Sequence, residues 1–105
     1  MGANELTVLI ERHPAGMTNI ILSGKLDAST IDIFEAELEK LYTEKCFILS
    51  FDLTELESVS SAGIGSLINA FTTLDENDGY GEIKGMNGRV KDAFNLVGFS
   101  PENKE

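Results

Sequence analysis

The run Cys46-Phe47-Ile48-Leu49-Ser50-Phe51 sets the tightest limit on how this chain can fold. It is too short for a packed helix and almost wholly apolar, so it reads as a strand covered on both faces. Such a strand sits in the middle of a parallel sheet. A parallel neighbour needs a crossover, usually a helix. Cys46 belongs to this run as a small hydrophobe, not as a nucleophile.

The rest of the chain supplies neighbours and crossovers. Residues 6–12 are β-branched and partly alternating, and predict a strand. His13-Pro14-Ala15-Gly16 is turn chemistry, with His13 exposed in the turn. Residues 17–23 predict a second strand, antiparallel to the first. Gly24-Lys25-Leu26-Asp27 breaks that pattern, and a helix begins near 28–30. Ser29 and Asp32 have capping-box spacing there. Ile31, Phe34, Leu38 and Leu41 form one apolar face, with Glu35, Glu37, Glu39 and Lys40 largely elsewhere.

Residues 52–58 read as a loop. After it, Ile64, Leu67, Ile68, Phe71 and Leu74 mark the apolar face of a helix capped by Ser60 or Ser61 and ending near 75–78. Residues 79–85 predict a short strand broken by glycine. Asn87 caps a last helix carrying Val90, Phe94 and Val97. Gly98 closes it, and Pro101 prevents its continuation. The order is β-β-α-β-α-β-α, an α/β fold with a mixed sheet and crossover helices. The 105 residues, 42% of them hydrophobic, make one domain, 1–105.

The charge balance narrows the partners. A net charge of -10 repels phosphate backbones and anionic lipid headgroups, so neither nucleic acid nor a membrane surface is expected. A basic protein partner suits it, although solubility alone accounts for such a charge equally well. No apolar run approaches the roughly 18 residues of a membrane span, and the N-terminus does not read as a secretory signal. The lone Cys46 cannot form an internal disulfide, which fits a reducing cytosolic setting. One His and one Cys cannot build a zinc site or a Cys-His catalytic pair. Asp75-Glu76-Asn77-Asp78 lacks calcium-loop spacing and reads as a solvated loop. No metal and no cofactor is expected.

Residues 59–68, Val-Ser-Ser-Ala-Gly-Ile-Gly-Ser-Leu-Ile, carry the functional signal. Ser60 and Ser61 open a helix, where unsatisfied N–H groups and the helix dipole would stabilise a phosphate on Ser61. Ala62, Gly63 and Gly65 leave backbone open to a partner. The same residues also suit a plain serine cap with glycines packed against a strand. A hydrolase is not expected: the nucleophile-elbow motif needs glycine two residues before the serine, and Val59 stands there. No His partner is in view, and Gly79-Tyr80-Gly81 is no dinucleotide fingerprint. The chain therefore reads as a non-enzyme.

Four blocks, in order, give the chain a family resemblance. They are Gly24-Lys25-Leu26-Asp27, then residues 47–53 leading into Thr54, then Ser60-Ser61-Ala62-Gly63-Ile64-Gly65, then Gly85-Met86-Asn87 with Val90, Phe94 and Gly98. Together they resemble the STAS domain of bacterial anti-sigma factor antagonists. The resemblance implies a partner switch. An unphosphorylated antagonist captures an anti-sigma factor, often a serine kinase of the GHKL type. The phosphorylated form lets go, and a PPM-type phosphatase restores it. It also implies that Ser61 is the phosphoacceptor and that Asp27 borders the partner surface, which Ser60, Ser61, Gly63 and Gly65 shape.

The chain departs from the family pattern at Ser60, which stands where the motif has Asp, and at Ala62, which takes the second hydroxyl position. Many members carry a further strand and helix past the point where Glu105 falls. Two other roles compete with the switch. The domain could be a scaffold subunit of a stress-sensing complex or of a transporter, or a module binding nucleotides or other small ligands at a helix N-terminus.

Overall fold

The computed structural model describes residues 5–13 and 16–98. Pro14, Ala15 and Pro101, which carry part of the predicted turn and the predicted helix stop, lie outside them. Strands β1 (Leu6–Glu11), β2 (Thr18–Leu26), β3 (Ile48–Val59) and β4 (Tyr80–Met86) form one sheet in the order β1-β2-β3-β4. The first pair is antiparallel and the other two are parallel. Helix α1 (Ile31–Thr43) joins β2 to β3, α2 (Ser61–Glu76) joins β3 to β4, and α3 (Gly88–Leu96) follows. The element order is the expected one.

Both crossovers step the same way along the sheet. Right-handed connections then put α1 and α2 on one face, where they pack against each other. The expectation of a strand buried on both faces holds in part. Residues 48–51 lie in an inner strand parallel to both neighbours, and Ser50 on the second face is buried, but that face is open at the start of the strand. Leu49 and Phe51 are buried, whereas Ile48, pointing to the other side, is 49% exposed. Leu9 and Tyr80 share that open face. Cys46 is half-buried at the edge of the core, with its sulfur 3.3 Å from the Thr18 hydroxyl.

The core is held by aromatic contacts across three elements. Phe51 of β3 meets Phe34 of α1 and Phe71 of α2 edge-to-face, with ring centroids 6.0 and 5.6 Å apart. On α1 the apolar stripe is the one expected. On α2, Ala70 is buried instead of Ile68, which is exposed. On α3, Val90 and Phe94 are buried, but Val97 is the exposed C-cap residue. Gly98 follows at φ 77°, the left-handed turn that glycine allows.

Two segments read as breaks are strand. β2 continues through 24–26, with register shifts on either side of Ser23–Gly24 and Gly24 at φ 98°. Both shifts place the extra residue in β3, between Asp52 and Glu55 and between Leu56 and Ser58. β3 runs on to Val59 because Leu53, Leu56 and Val59 are buried while the residues between them are solvated. Their three-residue spacing does not look like a strand. The extension is held by Asn87, whose Nδ2 donates to the carbonyls of Thr54 (2.9 Å) and Leu56 (2.7 Å). Its Oδ1 accepts from the Val90 N–H at 2.9 Å and so caps α3.

Asn87 thus ties α3 to the long end of β3. Asn87→Ala removes a cap worth about 1 kcal/mol and strands two carbonyl contacts, so we expect a loss of roughly 2 kcal/mol in urea unfolding. Asn87→Asp keeps the cap acceptor but loses both donors, and should fall between alanine and wild type or below both.

Candidate functional site

The site starts from a strand pairing. Leu26 of β2 pairs with Val59 of β3. Neighbouring strands lie about 4.8 Å apart. Asp27 and Ser60 therefore leave adjacent strand ends. The Ser60 N–H donates back to the Leu26 carbonyl at 3.0 Å, which fixes where α2 begins. Ser60 is extended, at φ -93° and ψ 175°, and its hydroxyl accepts from the Gly63 N–H at 3.2 Å. Its carbonyl accepts from Ile64 N–H at 2.9 Å. Of the two possible caps, Ser60 takes the role.

Ser61 is left as the first helical residue. It is exposed, and its hydroxyl makes no hydrogen bond among the described residues. The first turn of α2 carries no acidic residue. The positive end of this 16-residue helix is thus uncompensated from within the helix. An anion attached to the Ser61 oxygen would meet free N–H groups and a favourable dipole.

The two glycines that the sequence groups together have different surroundings. Gly63 is buried. A Cβ there would strike the Leu26 carbonyl oxygen and stand 2.9 Å from Val59 Cγ2. Its absence lets α2 sit on the ends of β2 and β3. Gly65 faces open space, with nothing within 4 Å of an added Cβ. Packing among the described residues gives no reason for it, although a helical glycine costs about 0.5–1 kcal/mol against alanine.

Asp27 is held by the start of the α1 segment. Its Oδ1 accepts from the Ser29 hydroxyl at 2.7 Å and from the Ser29 N–H at 3.0 Å. Thr30 leaves its own hydroxyl to serve Lys25 and Asp27: it donates to the Lys25 carbonyl at 2.7 Å and accepts from the Asp27 N–H at 3.0 Å. The Asp27 carboxyl lies below the usual range, chiefly through the Ser29 hydroxyl. Desolvation opposes this, while the Ser29 N–H, the Thr30 hydroxyl and the Lys25 charge add to it.

The predicted Ser29–Asp32 capping box is therefore not formed. Thr30 is the N-cap residue of α1, without a side-chain cap bond, and Ser29 turns back to Asp27 instead. Asp-x-Ser spacing is a known turn signal and was available in the sequence. The Leu26 carbonyl, by contrast, has no sequence signature at all.

The chain is similar to known proteins over nearly its whole length. A profile of the STAS domain matches residues 10–104. An anti-sigma-B factor antagonist of Listeria monocytogenes is 25% identical over 95 residues, covering 90% of this chain and 83% of that protein. The crystal structure of an anti-sigma factor antagonist from Mycobacterium paratuberculosis superposes with a TM-score of 0.76 at 22% identity, covering 89% and 78% of the two chains. The anti-sigma factor antagonist SpoIIAA in its unphosphorylated form gives 0.77 at 18% identity, covering 90% and 84%. The Bacillus protein in its phosphorylated form gives 0.70 at 16%, covering 90% and 86%.

Three substitutions test this geometry. Gly63→Ala should destabilise the chain by about 1–3 kcal/mol in chemical denaturation through overpacking. Gly65→Ala should stabilise it by about 0.5–1 kcal/mol. Ser29→Ala should raise the Asp27 pKa towards the ordinary value, as read by NMR titration. The sign follows from linkage. A carboxyl depressed in the native state stabilises above its unfolded pKa of about 3.9 and loses that contribution as pH falls further. The variant should therefore lose less stability than wild type below that pH.

Proposed function

Because the chain belongs to the STAS domain family, we propose that it is an anti-sigma factor antagonist switched by phosphorylation of Ser61. The relatives named above support the antagonist role. The observation that carries the switch is the division of labour between neighbouring serines. Ser60 spends its hydroxyl on the helix cap, while the Ser61 hydroxyl is exposed at the helix N-terminus and unbonded among the described residues.

In the unmodified state the Ser61 end of α2, with open Gly65 and the border residue Asp27, forms a docking surface for an anti-sigma factor. Ser60 and Gly63 shape that surface from beneath. The partner is a serine kinase of the GHKL type, and a PPM-type phosphatase reverses its action. Phosphorylation adds about -1.5 to -2 charges at neutral pH. That charge lands beside the Asp27 carboxylate on a chain already at -10. A partner surface complementary to the unmodified hydroxyl then meets a bulky dianion, and release follows. The chain itself supplies no catalytic group for this cycle. The kinase transfers the γ-phosphoryl of ATP to the Ser61 oxygen and the hydroxyl proton is lost. Hydrolysis by the phosphatase returns the hydroxyl and inorganic phosphate.

The whole chain acts as one domain in this scheme, in the cytosol where the Cys46 thiol stays reduced. No helix among the described residues is long and apolar enough to cross a membrane.

Capture of the kinase from the source organism on immobilised protein, followed by phosphosite mapping, tests the reading. Ser61→Ala should bind as wild type and resist release by ATP. Ser61→Asp should bind roughly tenfold more weakly, about 1.4 kcal/mol, since a carboxylate carries less charge than a phosphate. Equal binding by Ser61→Asp and wild type, or mapping of the phosphate to another residue, overturns it.

A further inference from the structure

Strand β1 forms one edge of the sheet, and no described residue pairs with its outer side. Every second residue of an edge strand turns an unpaired N–H and C=O outwards, which makes the edge a template for another strand. Folded chains blunt such edges with lysine, proline or a bulge. The opposite edge carries two of these devices. Ile83 and Gly85 of β4 pair with Phe51 and Asp52 of β3, so Lys84 is an extra, exposed residue at a bulge. β1 has none of them. It pairs with β2 over Leu6–Glu11 without a register shift, and its sequence Leu-Thr-Val-Leu-Ile-Glu contains neither lysine nor proline.

Both faces of this edge are apolar. Leu9 is 53% exposed on the open face of the sheet. Val8 and Ile10, on the helix side, pack on the core but are only half-buried. A strand added here would extend the ladder and cover all three side chains.

The pattern of β1 is complementary to itself in one register. Residues opposite each other in an antiparallel pair share a face, so a symmetric pairing of two copies is centred on a residue. Centred on Val8, the pairing sets Glu5 against Glu11, and like charges opposite each other are destabilising. Centred on Ile10, it sets both Leu9 side chains against Glu11. Centred on Leu9, it sets Leu9 on Leu9, Val8 on Ile10, Thr7 on Glu11 and Glu5 on His13, with no like charges opposed. We propose that β1 pairs antiparallel with β1 of a second copy of this chain, with Leu9 on the two-fold axis, so that the two sheets become one. The pairing does not rest on the switch reading, since Ser61 opens α2 at the end of β3, two strands in from this edge.

Sedimentation equilibrium of the full chain in added salt, which screens the repulsion between two copies of charge -10, tests the pairing. The mass should rise towards that of two copies as the concentration approaches about 1 mM. Leu9→Lys places two cations on the axis, and at an exposed position it should keep its melting temperature. It should raise the dimer Kd about tenfold or more. Tyr80→Lys, on the other edge, should leave the Kd unchanged. Oxidation with copper phenanthroline in a Cys46→Ala background reads the register. Leu9→Cys should cross-link to its counterpart, and Thr7→Cys, which faces Glu11, should not. The mass of a single copy at about 1 mM overturns the proposal. So does a Kd unmoved by Leu9→Lys, a Kd moved as far by Tyr80→Lys, or equal cross-linking by Thr7→Cys and Leu9→Cys.

Discussion

Much of this molecule hangs on one carbonyl. The Leu26 oxygen ends β2, receives the Ser60 N–H and faces the bare α-carbon of Gly63. These contacts require α2 to start where β2 and β3 end together. A side chain at position 63 would push the helix off the sheet, and Ser61 would lose its fixed place at the end of β3. Close packing tolerates little adjustment at such a point. The position of the Ser61 hydroxyl is therefore set by backbone contacts, which leaves its own side chain without a hydrogen bond among the described residues.

That arrangement separates tasks that the sequence runs together. Ser60 caps and Ser61 is presented. Gly63 packs and Gly65 stays open. Asp27 is clamped by Ser29, so its charge has a defined position at the edge of the site. Farther along the same helix, Ser66 holds Glu35 of α1. The phenylalanines of α1, β3 and α2 lock the two helices to the central strand, so α2 acts as one rigid rod carrying the hydroxyl at one end and the Ser66–Glu35 contact along its side.

Several readings of the sequence stand in the folded chain for plain reasons. The stripe Phe34, Leu38 and Leu41 has helical period and is buried. Asn87 and Ser60 are caps, because short polar side chains satisfy N–H groups at helix starts. Other readings fail where a local pattern has more than one solution. The 52–58 segment looks like a loop because its apolar residues fall every third position. Only pairing with β2 through two bulges of its own and cover by α3 make it strand. Ile68 fits the helical period but is exposed, and Ala70, on the side of α2 that meets α1, takes the buried place. Ser29 has capping-box spacing, yet Asp27 is nearer to hand and accepts its hydroxyl first.

Periodicity, turn chemistry and caps act over a few residues, and so the chain alone determined its element order, its parallel centre and the serine block at a helix start. How far the second face of the sheet stays open, which serine is spent on the cap, which glycine is needed for packing and where two helices leave a polar groove were decided only in the folded molecule. Each depends on groups distant in sequence, such as Leu26 with Gly63 or Glu35 with Ser66, and no local pattern records which distant residue will arrive.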